Sequence, residues 1–577
     1  MAYPKHLLEE DVWSKYKELG LEIYPSLDNT AIHYERARSA SRIIDYPNVR
    51  RINPKLGITA EDILYLTPKF WSLHMDLPGH ITNIGKAFVA RDSTCLSILV
   101  IHYNLCLGTI IPFARKSPEI AELVQKMLNF DVNGQFMLTE LDHGLDARNL
   151  ETTATLQPDG SFELHTPHPG AAKSMPPNTT ASGIPRTAVL YARLIVDQED
   201  RGVRPFVVPL SEAGRLKPGI TSKILPVRPG TKPLDHCITT FDRVILPPYC
   251  LLGSTEKPKD ERASFMRSIW RVPIGSISLS MTGITAIKIA THLTAAYSLR
   301  RTVGSSKSGD LTPIMSFSTQ YRPIVNGHVQ ATVLEAYARW AIKQFMNPKA
   351  HVLVRSALGF IFKTTVIQAS TILTEFSERC GWQGLFSYNQ ITNMSLSFQG
   401  NAIAEGDTLV LCIRLASELL GDKYRLPEAL DPSSLLAKRE MRAMTEAKTK
   451  LSQIGGYKSH RGTDYNRHIL PRSRPLIESI GHRMAYEAAK EAGVSPNILT
   501  LYESLCVAAA PSSMSDTIDQ DSLTDIYDEV LAEVMPRFES SEMKDYFTAP
   551  IASKESWDEF FQSLPSEDCL KKLKAKL

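Results

Sequence analysis

The chain has 577 residues, 43% hydrophobic and 22% charged, with a formal net charge of +3. That balance predicts a large soluble globular protein of about three or four domains and sets disorder aside. The small, scattered excess of Lys and Arg gives no ground for nucleic-acid binding or for attraction to an anionic membrane. At the N-terminus, Met1–His6 is followed by Glu9, Glu10 and Asp11, where a signal peptide needs an apolar run. Up to residue 135, apolar residues recur at helical spacing and predict an N-terminal α-helical domain, 1–135. Its most apolar segment, Cys95 to Phe113, is interrupted by His102, Tyr103 and Asn104, and reads as a buried helix beside a cavity, with no membrane span expected.

From 136 to 260 the texture becomes β-rich. Thr152–Leu156 and Ser161–His165 flank Gln157-Pro158-Asp159-Gly160, the composition of a hairpin turn. Thr187–Val196 and Val203–Pro209 follow, separated by the polar run Asp197–Gly202. Pro218, Pro226, Pro229, Pro233, Pro247 and Pro248 suit a small β-barrel with long loops. After Glu261 the helical period returns: Val329, Val333, Ala336, Tyr337, Trp340 and Ala341 share one buried face. A first C-terminal helical domain is expected over 261–425 and a second over 426–577. The basic stretch from about 425 to 475, with Gly455-Gly456, Pro471 and Pro475, reads as the link between them. Ser522 with Asp525 has the form of a capping box opening a helix that Pro536 should stop. The fold class is α+β.

Eight cysteines, at 95, 106, 237, 250, 380, 412, 506 and 569, include no C-x-x-C pair. Reduced thiols in an intracellular compartment are expected, with no zinc site and no other metal. Nucleotide-binding and hydrolase signatures (P-loop, H-E-x-x-H, G-x-S-x-G, G-x-G-x-x-G after a strand) are also missing.

Three blocks, in order, carry a resemblance. The first is Thr139-Glu140-Leu141-Asp142-His143-Gly144 with Leu150-Glu151-Thr152-Thr153-Ala154-Thr155; the second is Phe241-Asp242-Arg243-Val244-Ile245-Leu246-Pro247 followed by Leu251-Leu252-Gly253. The third is Cys380-Gly381 with Gly384, then Glu405-Gly406-Asp407-Thr408. From about residue 75 to 420, and more loosely to the end, the chain resembles acyl-CoA oxidases of the acyl-CoA dehydrogenase superfamily. The resemblance implies the α+β architecture outlined above, with FAD held non-covalently between a barrel and a helical bundle. In the family's T-E-L-G-H-G pattern, Asp142 replaces a glycine.

Glu405 matches the catalytic glutamate, a base for the acyl Cα proton; a water-poor site would raise its pKa. Ile403 and Ala404 are apolar neighbours consistent with such a site, and Gly406 would let the backbone approach substrate. Read locally, Glu405-Gly406-Asp407 is equally a solvated turn before a helix starting near Thr408. Thr139 matches a flavin-contacting position, although alone it is an ordinary strand residue. Arg301 resembles the arginine that pairs with the FAD pyrophosphate; Arg300 could exchange with it, or both could be surface charges. Gln320 resembles a cofactor-facing glutamine, and Gly381 and Gly384 would let a loop approach the cofactor bound by a partner subunit, which implies a homodimer.

The chain departs from the pattern where the family carries K-W-W-P-G-G. Here Lys173-Ser174-Met175-Pro176-Pro177-Asn178 lacks both tryptophans, and Pro177 has no N–H where a glycine amide would donate. Met175 can still cover a ring face with its sulfur. Trp382 replaces the second glycine of C-G-G-x-G, and His236-Cys237 replaces Asn-Gly. Weaker FAD retention is the expectation.

The resemblance implies an oxidase that converts acyl-CoA to 2-enoyl-CoA, with O2 as electron acceptor and H2O2 as product. Two alternatives stay open: desaturation of a specialised acyl thioester in a secondary-metabolite pathway, and a non-catalytic relative that binds acyl-CoA or a partner. The ending Ala575-Lys576-Leu577, behind Lys571, Lys572 and Lys574, is a close variant of the S-K-L address read by the peroxisomal import receptor. A peroxisomal location is therefore expected.

Overall fold

The change in residue texture along the chain is reproduced as helix, strand and helix in the computed structural model, which describes residues 34, 37–38, 93–115, 117–226, 228, 230, 234–304, 309–509, 521, 523–540 and 549–564. The C-terminal tripeptide, Ser522 and nearly all of the chain before Ser93 lie outside those residues.

The apolar run Ser93–Phe113 forms one continuous helical segment (α1). Its middle, Val100–Leu107, is π-helical. The polar residues there do not interrupt burial: His102, Tyr103 and Asn104 are all buried. Helix α2 (Pro118–Leu128) follows, capped by Ser117, whose Oγ accepts from the Ile120 N–H. His102 fastens these elements to the first strand, β1 (Asn133–Met137). Its Nδ1 accepts from the Gly134 N–H at 2.8 Å, so its Nε2 donates to Met127 O at 2.9 Å. Burial brings this neutral imidazole's pKa down to about 4.

Among the described residues, the middle of the chain holds ten strands, β1 to β10. The hairpin β2 (Thr153–Leu156) and β3 (Phe162–His165) pairs antiparallel across the expected turn. The long pair β5 (Arg186–Val196) and β6 (Glu199–Glu212) closes through Asp197-Gln198 alone, both at positive φ, 50° and 64°. That two-residue turn lets the strands run further than the polar spacer suggested. The expected barrel is built as two sheets. One has seven strands, in the order β10-β3-β2-β5-β6-β7 with β1 beside β5, where β7 is Arg215–Leu216 and β10 is Val244–Leu246. The other has three, β4 (Lys173–Pro177), β9 (His236–Phe241) and β8 (Ile220–Ile224). The sheets meet where Glu140 bridges Lys173 and where the Thr166 N–H donates to Phe241 O.

Helices return with α3 (Glu261–Ser268) and the 29-residue α4 (Val272–Arg300). A short strand pair, β11 (Thr302–Gly304) and β12 (Leu311–Pro313), leads into α5 (Ser318–Phe345). Then come α6 (Val352–Ala369), α7 (Ile372–Arg379), α8 (Ile391–Ile403) and α9 (Thr408–Leu420). Helix α4 packs on α5 and α6 at the centre. The face of Val329, Val333, Ala336, Tyr337 and Ala341 is buried as expected, with Trp340 at its margin. Three segments, α1, α4 and Val352–Arg379, are long and apolar enough to cross a membrane by length and composition. Their apolar windows are 89, 83 and 56% buried within the fold.

Proline positions account for two differences from the sequence reading. The stretch expected to link two bundles holds a 19-residue helix, α10 (Leu435–Gln453). After the short α11 (Thr463–His468), Pro471 and Pro475 fall inside α12 (Leu470–Glu491). Pro471 stands in the first turn, where no intrahelical donor is needed. Helix α13 (Pro496–Ala508) follows. Helix α14 (Thr524–Glu539) then runs on through Pro536, because tertiary packing of Tyr527, Val530, Val534 and Phe538 outweighs the lost hydrogen bond. The seven described cysteines are buried.

Candidate active site

Glu405 stands on the short connection between α8 and α9, with φ at +57° and Gly406 beyond it at +93°. A non-glycine residue in the left-handed region costs on the order of 1 kcal/mol and persists only where its surroundings hold it. Here three successive carbonyls are held. Lys363 Nζ donates to Ala404 O at 2.5 Å and to Gly406 O at 2.6 Å; Ser276 Oγ donates to Glu405 O at 2.9 Å. Lys363 comes from the middle of α6 and Ser276 from the first turns of α4. Two further bonds fix the exit: Thr408 Oγ1 donates to Ala402 O at 2.8 Å, and Asp407 caps α9 by accepting from the Val410 N–H at 3.1 Å.

The segment is therefore a turn, as the local reading had it, but its carboxylate is not solvated. Glu405 Oε1 lies where a Cβ on Gly275 would stand, only 2.1 Å from that position, and Asn104 Nδ2 lies 2.8 Å from it. Gly275 thus opens the space in which the carboxylate meets α1. Burial raises the Glu405 pKa to about 8, against the opposing pull of the Lys363 and Arg271 charges. The residue as a whole is half-buried, while its carboxylate is the part that burial desolvates. The wall around it is not the expected one: Ile403 is 66% exposed and Ala404 is also exposed. Gly275, Asn104 and Arg271 take their place. Arg271 and Asn104 are locked reciprocally, Arg271 Nε donating to Asn104 O at 2.9 Å and Asn104 Nδ2 to Arg271 O at 3.2 Å.

The residues expected to touch a cofactor fall into two groups. In the strand region, Thr139 is half-buried and its carbonyl accepts from the Ser174 N–H at 3.0 Å. Met175 is 46% exposed at φ +70°, on the irregular part of β4, and its carbonyl accepts from His236 Nδ1 at 2.7 Å. Pro177 is buried, with its carbonyl taken by Arg186 Nη1 at 2.6 Å. In the helical region, Arg301 caps the C-terminal end of α4 and is exposed. Gly381, at φ +58°, is exposed beside it, with the Tyr297 hydroxyl 3.7 Å from where its Cβ would be. Gln320 donates to Ser298 Oγ at 2.8 Å and to Arg379 O at 2.9 Å, bracing α5 against α4 and the end of α7. Gly384 is buried where a Cβ would lie 1.9 Å from Ser377 O, so close packing accounts for that glycine.

Separate exposed features suit a flat, anionic ligand such as FAD: the Met175 side chain in the strand region, and the Arg301 cation and side-chain-free Gly381 at the C-terminal end of α4. A recess of about 430 Å³ opens at the start of α5, lined by Ser318, Thr319, Arg322 and Arg379 among others. Pro177 supplies neither a donor nor a free acceptor to such a ligand. Lys363, Ser276, Gly275 and Asn104 escaped the sequence reading. Two of them left a local signal: Asn104 interrupts the apolar segment Cys95–Phe113, and Lys363 is a lone charge within the apolar run Ala357–Val366. Among the described residues, no group of three His, Cys, Asp or Glu side chains is placed to hold a metal.

No protein-family model matches the chain. It is similar to human peroxisomal acyl-coenzyme A oxidase 3, 24% identical over 434 residues, covering 69% of this chain and 60% of that protein. It is also similar to Arabidopsis thaliana peroxisomal acyl-coenzyme A oxidase 2, 23% identical over 375 residues, 60% of this chain and 53% of that one. The matched stretch thus spans between half and two thirds of these relatives. Among solved structures, acyl-CoA oxidase 1 of Yarrowia lipolytica superposes with a TM-score of 0.68 at 19% identity, covering 94% of this chain and 93% of that one. Acyl-CoA oxidase 2 of Caenorhabditis elegans, bound with FAD, ascaroside-CoA and ATP, does so with a TM-score of 0.70 at 16% identity, covering 100 and 98%. The fold is that of acyl-CoA oxidases, and the sequence is related to theirs.

Proposed function

We propose that the protein is an FAD-dependent acyl-CoA oxidase that converts acyl-CoA and O2 to 2-enoyl-CoA and H2O2. The observation that carries this reading is the Glu405 carboxylate, desolvated over Gly275 and raised to a pKa of about 8. A carboxylate with a pKa close to the working pH is the form best suited to take a weakly acidic Cα proton. The strained backbone at Glu405 and the three bonds on its flanking carbonyls aim the base before substrate arrives. Bound FAD would supply the acceptor for the hydride leaving Cβ and the route of two electrons to O2. Arg301 would pair with its phosphates, and Thr139 and Met175 would border its ring. With Met175 in place of a tryptophan and Pro177 lacking a donor, FAD is held less firmly than in the relatives. Gly381 to Gly384 would complete the site of a second subunit, so the working form is a homodimer. The relatives' peroxisomal names support work in the peroxisome.

The test is anaerobic flavin reduction by acyl-CoA in protein reconstituted with FAD. Glu405→Gln keeps size and hydrogen bonding but removes the basic oxygen, so reduction should slow about a hundredfold to ten-thousandfold with flavin binding retained. Asp407→Asn keeps the helix cap and should leave the rate within about threefold. A Glu405→Gln protein that reduces flavin like wild type, or a wild-type protein that gains no flavin absorption from excess FAD, contradicts the reading.

A further inference from the structure

We propose that Lys363 is a positioning residue that sets both the orientation and the proton affinity of Glu405 by gripping the backbone on either side of it. The inference rests on the acyl-CoA oxidase reading and adds a residue to its machinery.

Lys363 is fully buried in the middle of α6. A buried ammonium ordinarily seeks a carboxylate, as an isolated charge in an apolar interior is costly. This one instead spends two hydrogens on the carbonyls of Ala404 and Gly406, while the Glu405 carboxylate points away toward Gly275 and Asn104. The arrangement has two consequences. Holding both flanking carbonyls fixes the peptide planes that place Glu405 at φ +57°, so the direction of its Cα–Cβ bond is set by α6. The ammonium charge also remains within electrostatic reach of the carboxylate, opposing the rise that burial causes. The other groups facing this pair are Arg271 ahead of α4, Asp407, and Cys412 of α9. Behind Cys412, Arg474 and Glu478 of α12 bond to each other.

Lys363→Met keeps the alkyl stem and removes the donors and the charge; Lys363→Gln keeps a donor without the charge. Two readouts are used on the purified full-length chain. The first is flavin reduction after FAD reconstitution, in wild-type and Glu405→Gln backgrounds. The second needs neither cofactor nor substrate: infrared titration of the protonated-carboxyl absorption that Glu405→Gln abolishes. Either Lys363 variant should slow reduction roughly tenfold to a hundredfold in the wild-type background. In the Glu405→Gln background it should cost less than about threefold, because a residue acting through Glu405 has nothing left to position. The infrared midpoint should move up by about one pH unit, a tenfold gain in proton affinity. Should Lys363→Met not fold, Lys363→Gln carries the same comparison.

Equal losses in both backgrounds, or a folded variant with wild-type rate and unmoved infrared midpoint, overturn the proposal. If Glu405→Gln itself reduces flavin at the wild-type rate, it is the oxidase reading that fails. The infrared shift then still decides whether Lys363 controls the carboxylate.

Discussion

Two buried carboxylates, one in the strand region and one in the helical region, each lie near a buried lysine and end with opposite acidities. Glu140 accepts from Lys173 Nζ at 2.9 Å and from the N–H groups of Glu151 and Thr152 at 2.7 and 3.0 Å. Burial alone would raise its pKa, but the Lys173 charge and these bonds outweigh burial and leave it lowered. Glu405 has Lys363 close by, yet the ammonium bonds to neighbouring carbonyls, and burial wins: the pKa rises to about 8. The lysines themselves are alike, each brought by burial to about 8. What separates the two acids is therefore whether the ammonium and nearby N–H groups bond to the carboxylate itself. In the strand region they neutralise the acid and tie two sheets together. In the helical region they hold the backbone frame and do not bond to the carboxylate.

Breaking the first arrangement should have the largest effect on stability. Lys173→Met leaves Glu140 buried without its cation, and loss of one partner of such a pair typically costs about 3–5 kcal/mol. Urea unfolding should show that loss, and a variant as stable as wild type would remove the structural role. The second arrangement should break without unfolding. In Gly275→Ala the new Cβ would stand 2.1 Å from Glu405 Oε1, the movable end of a side chain, so the carboxylate swings away. Flavin reduction by acyl-CoA should fall by roughly tenfold to a hundredfold. The melting temperature should change little, since overpacking against Glu405 and Asn104 offsets the roughly 1 kcal/mol by which alanine is favoured over glycine in a helix.

A further effect is on pH-dependent stability, and its sign separates the two acids. A raised folded-state pKa means the folded chain keeps a proton that the unfolded chain has lost. The Glu405 contribution is therefore fully present below pH 4.5 and declines as pH rises toward 8. The Glu140 contribution has the reverse sign: it is present above 4.5 and lost as pH falls. Chemical unfolding of Glu405→Gln should gain on wild type as pH rises from 5 to 8; a constant difference would mean the carboxylate is solvated.

Much of this was legible in the residues, and the exceptions have physical reasons. The turn at Gln157–Gly160, the face of α5 and the turn at Glu405-Gly406 follow from local composition and period. Prolines misled: Pro471, Pro475 and Pro536 suggested breaks, but a first-turn position or an already buried face lets a helix carry them. The wall of the Glu405 site was misplaced because Ile403 and Ala404 are neighbours only in sequence. The groups that surround and hold Glu405, namely Asn104, Arg271, Gly275, Ser276 and Lys363, come from α1, the start of α4 and α6, and no local pattern joins them. Gln320 and Gly384 resemble cofactor contacts, yet the bracing of α5 and the close packing at Ser377 already give each a structural task.

The pH dependence of flavin reduction tests the central claim most directly. The second-order rate constant for reduction by acyl-CoA reports ionisation of the free enzyme, and a base must be deprotonated to act. With Glu405 titrating at about 8, the constant should rise about tenfold per pH unit from 5 to 7, bend near 8 and level off above it. Glu405→Gln should lose that rise. A wild-type profile flat from pH 5 to 9, or one that bends near 4.5, would contradict a desolvated Glu405 as the base.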